Sequence, residues 1–339
     1  MANLERYWYR SSLNLLTFLL LPLAFIFRCA VALRRFLYRK KIFKSHRFSV
    51  PIIVVGNITV GGTGKTPFVT WLVQTLRAHG YRPGVVSRGV GGQQQLLPRW
   101  VNVHSNPIEV GDEAILLAKR TECSVVIGVD RVAVVKELLD KTDCNVVISD
   151  DGLQHYRLAR DIEIAIIDGD RRLGNRQFLP AGPLRESPQR LNEVDFVICN
   201  RAVGGARNPI FQRGCDMELR GNFLVSVRND EQKIQIENIQ GKKIHALAAI
   251  GNPQRFFNSL RDRNIEVIEH VFPDHYIYHA DDLVFADDLM IVMTEKDAVK
   301  CRHFANEKCW YLPVDVKIDP ILSEQILQKL EMRSQYKTV

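Results

Sequence analysis

No C-x-x-C pair occurs in the 339 residues, and the seven cysteines (29, 123, 144, 199, 215, 301 and 309) are scattered and odd in number. That argues against a zinc site and a disulfide framework, and a reducing compartment is the simplest expectation for the globular part. Internal repeats and low-complexity linkers are missing as well. With 46% hydrophobic and 25% charged residues the composition is that of a folded protein, long enough for two ordinary domains. Acids are missing in one place. Arg28, Arg34, Arg35, Arg39, Lys40, Lys41, Lys44 and Arg47 follow one another without an Asp or Glu between them. These eight cations equal the whole net charge of +8, so the basicity is a local collar. A nucleic-acid-binding surface spread over the protein is excluded, and no nucleic-acid partner is expected.

Before the collar, residues 13–33 read LNLLTFLLLPLAFIFRCAVAL, apolar except for Asn14, Thr17 and Arg28. About 20 apolar residues cross a bilayer as a helix, and Pro22 is tolerated there. Tyr7, Trp8 and Tyr9 precede the run as candidate interfacial aromatics, and the collar behind it keeps the remainder of the chain cytoplasmic. A cleaved signal peptide fits less well, because Arg34 and Arg35 directly follow the small residues Ala30-Val31-Ala32. Arg28 interrupts the run, which leaves a helix lying in the interface as the stronger alternative to a span, with a buried soluble helix the weakest because apolar residues occupy all its faces. The expectation is an amino-terminal membrane helix and collar over residues 1–47.

One glycine is also missing. In the pattern G-x-x-x-x-G-K-[ST], Gly64, Lys65 and Thr66 are in place, but the first glycine is replaced by Thr59. The context nevertheless suits a phosphate loop. Val50-Pro51-Ile52-Ile53-Val54-Val55 reads as a buried parallel strand, residues 56–64 as a glycine-rich loop, and Phe68, Trp71, Leu72, Thr75 and Leu76 as one face of a helix. Backbone N–H groups of Thr59, Val60, Gly61, Gly62, Thr63 and Gly64 and the helix N-terminus would cradle phosphate oxygens. Lys65 would reach the terminal phosphates, and the Thr66 hydroxyl would ligate Mg²⁺. The cofactor expectation is ATP with Mg²⁺.

A metal-facing acid is expected at the end of another parallel strand. Asn145–Ser149 ends in Asp150-Asp151-Gly152, so Asp150 and Asp151 are the candidates, with a polar turn as the bland alternative. Arg82–Ser87, Ser124–Val129, Ile162–Ile167 and Asp195–Cys199 are further strand-like runs, each followed by polar residues such as Arg88, Arg131, Asp168 and Asn200. Strands alternating with helices signal a mostly parallel sheet with helices on both faces, and ligands sit outside the carboxyl ends of such strands.

Eight blocks in order resemble the tetraacyldisaccharide 4′-kinases, the lipid A kinases of Gram-negative bacteria. They are GNITVGGTGKTP (56–67), SRG (87–89), VGDE (110–113), DDGLQH (150–155), LPAGPLRE (179–186), IGNPQRFF (250–257), FPDHYIY (272–278) and TEKDAVK (294–300). Thr59 is the usual form of the loop in that family. The resemblance extends from the amino-terminal apolar segment to near residue 317. It implies transfer of phosphate from ATP, with Mg²⁺, to the 4′-hydroxyl of an acylated glucosamine disaccharide 1-phosphate. It also implies a P-loop α/β domain joined to a smaller α/β domain behind a membrane helix. Val90 after Ser87-Arg88-Gly89 and Ala114 after Gly111-Asp112-Glu113 depart from the family pattern, where an aromatic and a proline are expected.

The resemblance assigns Asp112 as base, with His275 as its partner. A carboxylate–imidazole pair fits that task because each group fixes the other's orientation and protonation; read alone, Asp112 is equally a helix cap. Arg131 and Arg185 are candidates for phosphate contacts in the transition state. Glu186 and His155 are candidates for substrate binding or metal organisation. After Gly221 the pattern restarts with Ile244–Ile250 and Met290–Met293. Thr294-Glu295-Lys296-Asp297 resembles the T-K-x-D base-reading element of GTPases, with Glu295 inserted.

The expected architecture is thus α/β: residues 48–221 form a P-loop NTPase-like core on a mostly parallel sheet, and 222–339 a smaller α/β domain. Asp112 and His275 fall in different halves, so catalysis needs the halves to meet. The expected partners are the acylated disaccharide lipid and inner-membrane lipids, at the cytoplasmic face of the bacterial inner membrane. A membrane-anchored P-loop ATPase that switches a protein partner is the alternative. Such positioning ATPases often carry a lysine just before their Gly-Gly, where Val60 stands here.

Overall fold

Strand-forming runs supply two sheets. The computed structural model describes residues 7–9, 14–93, 96–201 and 214–335. Across the larger sheet the nine strands are ordered Asp315–Ile318, Gly214–Arg220, Phe196–Arg201, Ile162–Asp168, Ile52–Gly56, Val146–Asp150, Pro83–Ser87, Val125–Ile127 and Arg99–Val101. The two outermost strands pair antiparallel and the other seven run parallel. The expected strands are all present, with ends shifted by a residue or two. Continuous apolar runs such as 52–55 are what a strand covered on both faces requires. Ile53 and Val55 enter one core with Phe68, Leu72 and Leu76 of the helix Lys65–Ala78. Ile52 and Val54 enter the opposite core with Val134, Val135 and Leu138 of the helix Arg131–Lys141.

The smaller sheet is ordered Lys233–Gln235, Phe223–Ser226, Cys309–Leu312, Met290–Thr294, Lys243–Ala248 and Glu266–Val271. Its last four members run parallel, and the first two join antiparallel. The division expected at residue 221 leaves out one thing: the chain returns. Asp315–Ile318 pairs with Gly214–Arg220 of the larger sheet, and the following helix Pro320–Gln335 places Leu322, Ile326 and Leu330 in the larger sheet's core. Residues 315–335 therefore pack with the first half.

The expected membrane helix is corrected. The apolar run is split at Leu20 into the helices Leu15–Leu19 and Leu21–Arg39, with Pro22 in the first turn of the second. Pro lacks the N–H a helix interior needs but suits a first turn, so it sets the break. No helix among the described residues is long and apolar enough to cross a membrane. Residues 1–6 and 10–13 of this segment lie outside the described residues. The longer helix lies against the larger domain through Ala24, with Leu20, Leu21 and Phe27 packed on the same core. Its other sides expose Leu23, Phe25, Ile26, Leu33 and Phe36, and Leu15, Phe18 and Leu19 continue that apolar surface.

Candidate active site

The phosphate loop leaves the central strand at Gly56 and ends at Gly64, the residue before the helix Lys65–Ala78. Gly64 has φ +91°, and a Cβ there would lie 2.5 Å from Asn200 Nδ2, so both conformation and space require glycine. Asn200 closes the contact by donating to the Thr63 carbonyl at 3.0 Å. The missing first glycine has a structural reading. Thr59 is buried in an antiparallel bridge with Leu184, and the Val60 N–H donates to the Pro183 carbonyl at 2.8 Å. That stretch is extended and stapled to residues 183–184, so no left-handed residue is needed at position 59.

Gly62 faces the second half. A Cβ at Gly251 would lie 2.4 Å from the Gly62 nitrogen, so the turn before the helix Pro253–Arg261 packs on the phosphate loop. Asp168, at the tail of its strand, accepts from Asn252 Nδ2 at 3.1 Å and from Arg255 at 2.8 Å. Arg171 donates to the Gly251 carbonyl.

The adjacent aspartates point to different partners. Asp151, at φ +48°, accepts both arms of Arg185 at 2.8 and 3.0 Å and lies 3.5 Å from Lys65 Nζ. Burial opposes its charge, but Lys65 and Arg185 win and hold it well below the usual carboxylate range. Asp150 is buried, accepts weakly from Ser87 Oγ at 3.4 Å, and has no hydrogen-bond partner on Oδ1. Burial, reinforced by the nearby Glu113 charge, pushes it up to about 7.

Arg131 is 2% exposed, with one arm on the Gly128 carbonyl at 2.5 Å and the other 3.4 Å from the Asp150 carbonyl. Burial lowers it to about 10 despite Asp150 and Asp151. It props the strand end from within, and its protonated form still faces the two aspartates.

The second constellation is shared by both halves. Asp112 opens the helix Asp112–Thr121, is 3% exposed, and lies 3.2 Å from His275 Nδ1. Lys296 Nζ and Lys300 Nζ stand 3.9 and 3.6 Å from its oxygens. Burial alone would raise Asp112, but Lys296, the His275 hydrogen bond and Lys300 bring it down to about 2. For His275 burial opposes the charge, and the Asp112 bond outweighs it and raises the imidazole. His275 has φ +60°, and a Cβ on Gly91 would meet its Nδ1 at 2.5 Å, so residue 91 must be small for the ring to reach Asp112.

TEKDAVK now has a structural reading. Thr294 caps the helix Glu295–Cys301, and buried Asp297 accepts from the Ala249 N–H at 3.1 Å. Lys296 bridges Glu113 and Asp274, each at 3.1 Å, and Lys300 binds Asp297 at 2.8 Å. The motif delivers two ammonium groups to Asp112.

Glu186 and His155 each lie in a crowded setting. Glu186 is 1% exposed and bound by Gln154 at 2.7 Å, Tyr156 at 2.5 Å and Arg190 at 3.5 Å, so its oxygens are already committed within the fold. His155 is lowered to about 4 by burial and by Arg131 and Arg88, and is a neutral ring at pH 7. Thr66 opens its helix beside Lys65, with the Thr66 carbonyl accepting from Thr70 Oγ1. The sequence reading named no role for Arg171, Lys296 or Lys300. The last two lie inside the block TEKDAVK.

Comparison with known proteins then bears on the whole chain. A model of the tetraacyldisaccharide-1-P 4′-kinase family matches residues 16–331. A tetraacyldisaccharide 4′-kinase of Nitrosococcus oceani is 46% identical over 334 residues, covering 98% of this chain and 95% of that one. One of Methylobacillus flagellatus is 48% identical over 328 residues, covering 96% and 95%. Among solved structures, an LpxK from Aquifex aeolicus in complex with ATP superposes with a TM-score of 0.77 at 29% identity, covering 94% of this chain and 99% of that one.

Proposed function

Since the chain belongs to the tetraacyldisaccharide-1-P 4′-kinase family, we propose that its two constellations share the work of one phosphoryl transfer. The protein is a kinase of lipid A biosynthesis. It transfers the terminal phosphate of ATP to the 4′-hydroxyl of tetraacyldisaccharide 1-phosphate. Asp112, oriented by His275, accepts the hydroxyl proton as the oxygen attacks. Lowered to about 2 by the cations around it, Asp112 is ionised at neutral pH and carries no proton of its own, and the same cations weaken it as a base, so its part rests on its placement beside His275. Lys65 and Arg185, both on Asp151, neutralise charge on the transferring phosphate; Arg131 holds the strand end behind them.

Thr59 to Thr66 bind the triphosphate, the glycines at 61, 62 and 64 allowing close approach. The unpartnered Oδ1 of buried Asp150 fits a cation better than an isolated charge. Thr66 and Asp150 would hold Mg²⁺, with Asp151 in support, and the ion would supply positive charge against the phosphates. Glu186 and His155 act at one remove, shaping the wall beside Asp151 rather than meeting substrate.

The chain works at the cytoplasmic face of the inner membrane and binds its lipids through the amino-terminal segment. The exposed apolar surface of residues 15–36 would lie in the interface, with the basic collar among anionic headgroups.

The observation that carries these roles is the Asp112–His275 pair formed across the two halves. Incubation of the detergent-solubilised protein with Mg²⁺, γ-labelled ATP and tetraacyldisaccharide 1-phosphate should label the lipid. Lys65→Ala should abolish transfer and Asp112→Ala should strongly reduce it. ATP hydrolysis with no labelled lipid would point instead to a membrane-anchored switch.

A further inference from the structure

Two residues ahead of the apolar helices tie the chain to the phosphate loop, Trp8 through the 174–184 segment and Tyr9 directly. Trp8 is buried, its indole N–H donating to the Pro180 carbonyl at 3.0 Å and its carbonyl accepting from the Asn175 N–H at 2.7 Å. Gly174 lies so close that a Cβ would approach the Trp8 carbonyl oxygen to 2.6 Å. Trp8 is thus seated in the 174–184 segment, the segment that also staples Thr59 and Val60. The next residue, Tyr9, donates its hydroxyl to the Val60 carbonyl at 3.0 Å. Its ring carries the Arg171 guanidinium at 4.7 Å, and Arg171 in turn donates to the Gly251 carbonyl.

We propose that Tyr9 is a positioning residue for the nucleotide, acting through the Val60–Gly61 peptide of the phosphate loop. The physical argument rests on peptide planarity. In a trans peptide the C=O and the following N–H point in opposite directions. The Val60 N–H is already fixed on Pro183, and Tyr9 fixes the Val60 carbonyl. With that carbonyl held toward Tyr9, the Gly61 N–H must point away from it. Gly61 has φ +105°, a residue whose peptide would otherwise rotate with little resistance. The Tyr9 hydroxyl therefore pre-orients one phosphate-loop donor, and the cation on its ring ties the same point to Gly251 of the other half. A donor aimed before the ligand arrives spares the ordering cost at binding.

The inference rests on ATP binding at the phosphate loop, so the test carries a control for that reading. Binding of a fluorescent ATP analogue to the full chain in detergent is measured for wild type, Lys65→Ala, Tyr9→Phe and Tyr9→Ala, beside steady-state KM for ATP and for the lipid. Tyr9→Phe keeps the ring on Arg171 and removes one hydrogen bond. Its Kd and KM for ATP should rise about three- to tenfold, with kcat and lipid KM within about twofold. Tyr9→Ala should weaken ATP further without changing lipid KM. Wild-type ATP affinity in both Tyr9 variants would overturn the proposal. So would a joint rise of both KM values with a lower Tm, which marks a merely structural contact. If Lys65→Ala binds the analogue as wild type does, the nucleotide reading itself fails and the proposal falls with it.

Discussion

Asp150 and Asp112 are both almost wholly buried aspartates, 1% and 3% exposed, yet their environments push them in opposite directions. Asp150 is raised to about 7 and Asp112 lowered to about 2. Burial acts alike on both, since taking a carboxylate out of water disfavours its charge. The neighbours decide. Asp112 receives two ammonium groups and an imidazole, two of the three from one helix of the second half. Asp150 has the Glu113 and Asp151 charges nearby, which Lys65 and Arg131 offset only in part, and the Arg131 arm 3.4 Å away bonds its backbone carbonyl rather than its carboxylate. One site is complete in the protein alone, and the other is left short of positive charge, as a place for a cation should be.

The contrast can be broken most directly by activity. Asp112→Asn keeps the shape and removes the base, and kcat should fall about 10²- to 10⁴-fold in the labelled-lipid assay. A fall under tenfold would move the proton to another group.

Stability should change in opposite senses. A carboxylate lowered by its partners stabilises the fold above its unfolded value of about 3.9, and that contribution is lost as pH falls through about 2. A raised carboxylate does the reverse: its contribution is present below about 3.9 and lost as pH rises through about 7. At pH 8 in metal-free buffer, Asp112→Asn should therefore cost about 2 kcal/mol and Asp150→Asn should gain a similar amount. Thermal denaturation of both variants reads the sign, and shifts in the same direction would end the comparison.

A smaller effect sharpens it. Lys296→Met withdraws one cation from Asp112, whose value should climb and carry the acidic limb of the kcat/KM profile upward by about one pH unit. The same limb unmoved would mean that Lys300 and His275 suffice. Smallest, Gly91→Ala, at φ +85° and with an added Cβ 2.5 Å from His275 Nδ1, should displace the ring and lower kcat about tenfold with ATP KM unchanged.

How much of this was legible depends on whether the signal was local. Strand, glycine loop and helix around Lys65 follow from adjacent residues, and the polar tails at Asp168 and Asn200 sit where a parallel sheet must put them. The Asp112–His275 pair came only through resemblance, because its partners are 163 positions apart. Glu186 shows the reverse limit. It stands as a candidate for substrate binding or metal organisation, and Gln154, Tyr156 and Arg190 converge on it from positions no local pattern links. The apolar run of 13–33 was read by length, whereas Pro22 and the packing of Ala24 divide it. Likewise Asp315–Ile318 carries too little pattern to announce which sheet it will join.

That return of the chain has a topological meaning. The two crossings between the halves run side by side: Arg220 pairs with Asp315, and Gly221 is so close to the Pro313 carbonyl that a Cβ would lie 2.6 Å away. Residues 223–312 are therefore an insertion whose ends already touch, held on a double-stranded hinge. Cutting the chain at 312 would strip an edge strand and a core helix from the other half. Joining Gly221 to Val314 by a short turn would instead excise the insert as a cassette and leave the nine-stranded sheet intact, with its phosphate loop but without His275, Lys296 or Lys300. Such an excised core would retain Asp112 on its own helix but lose the imidazole and the two ammonium groups that surround it.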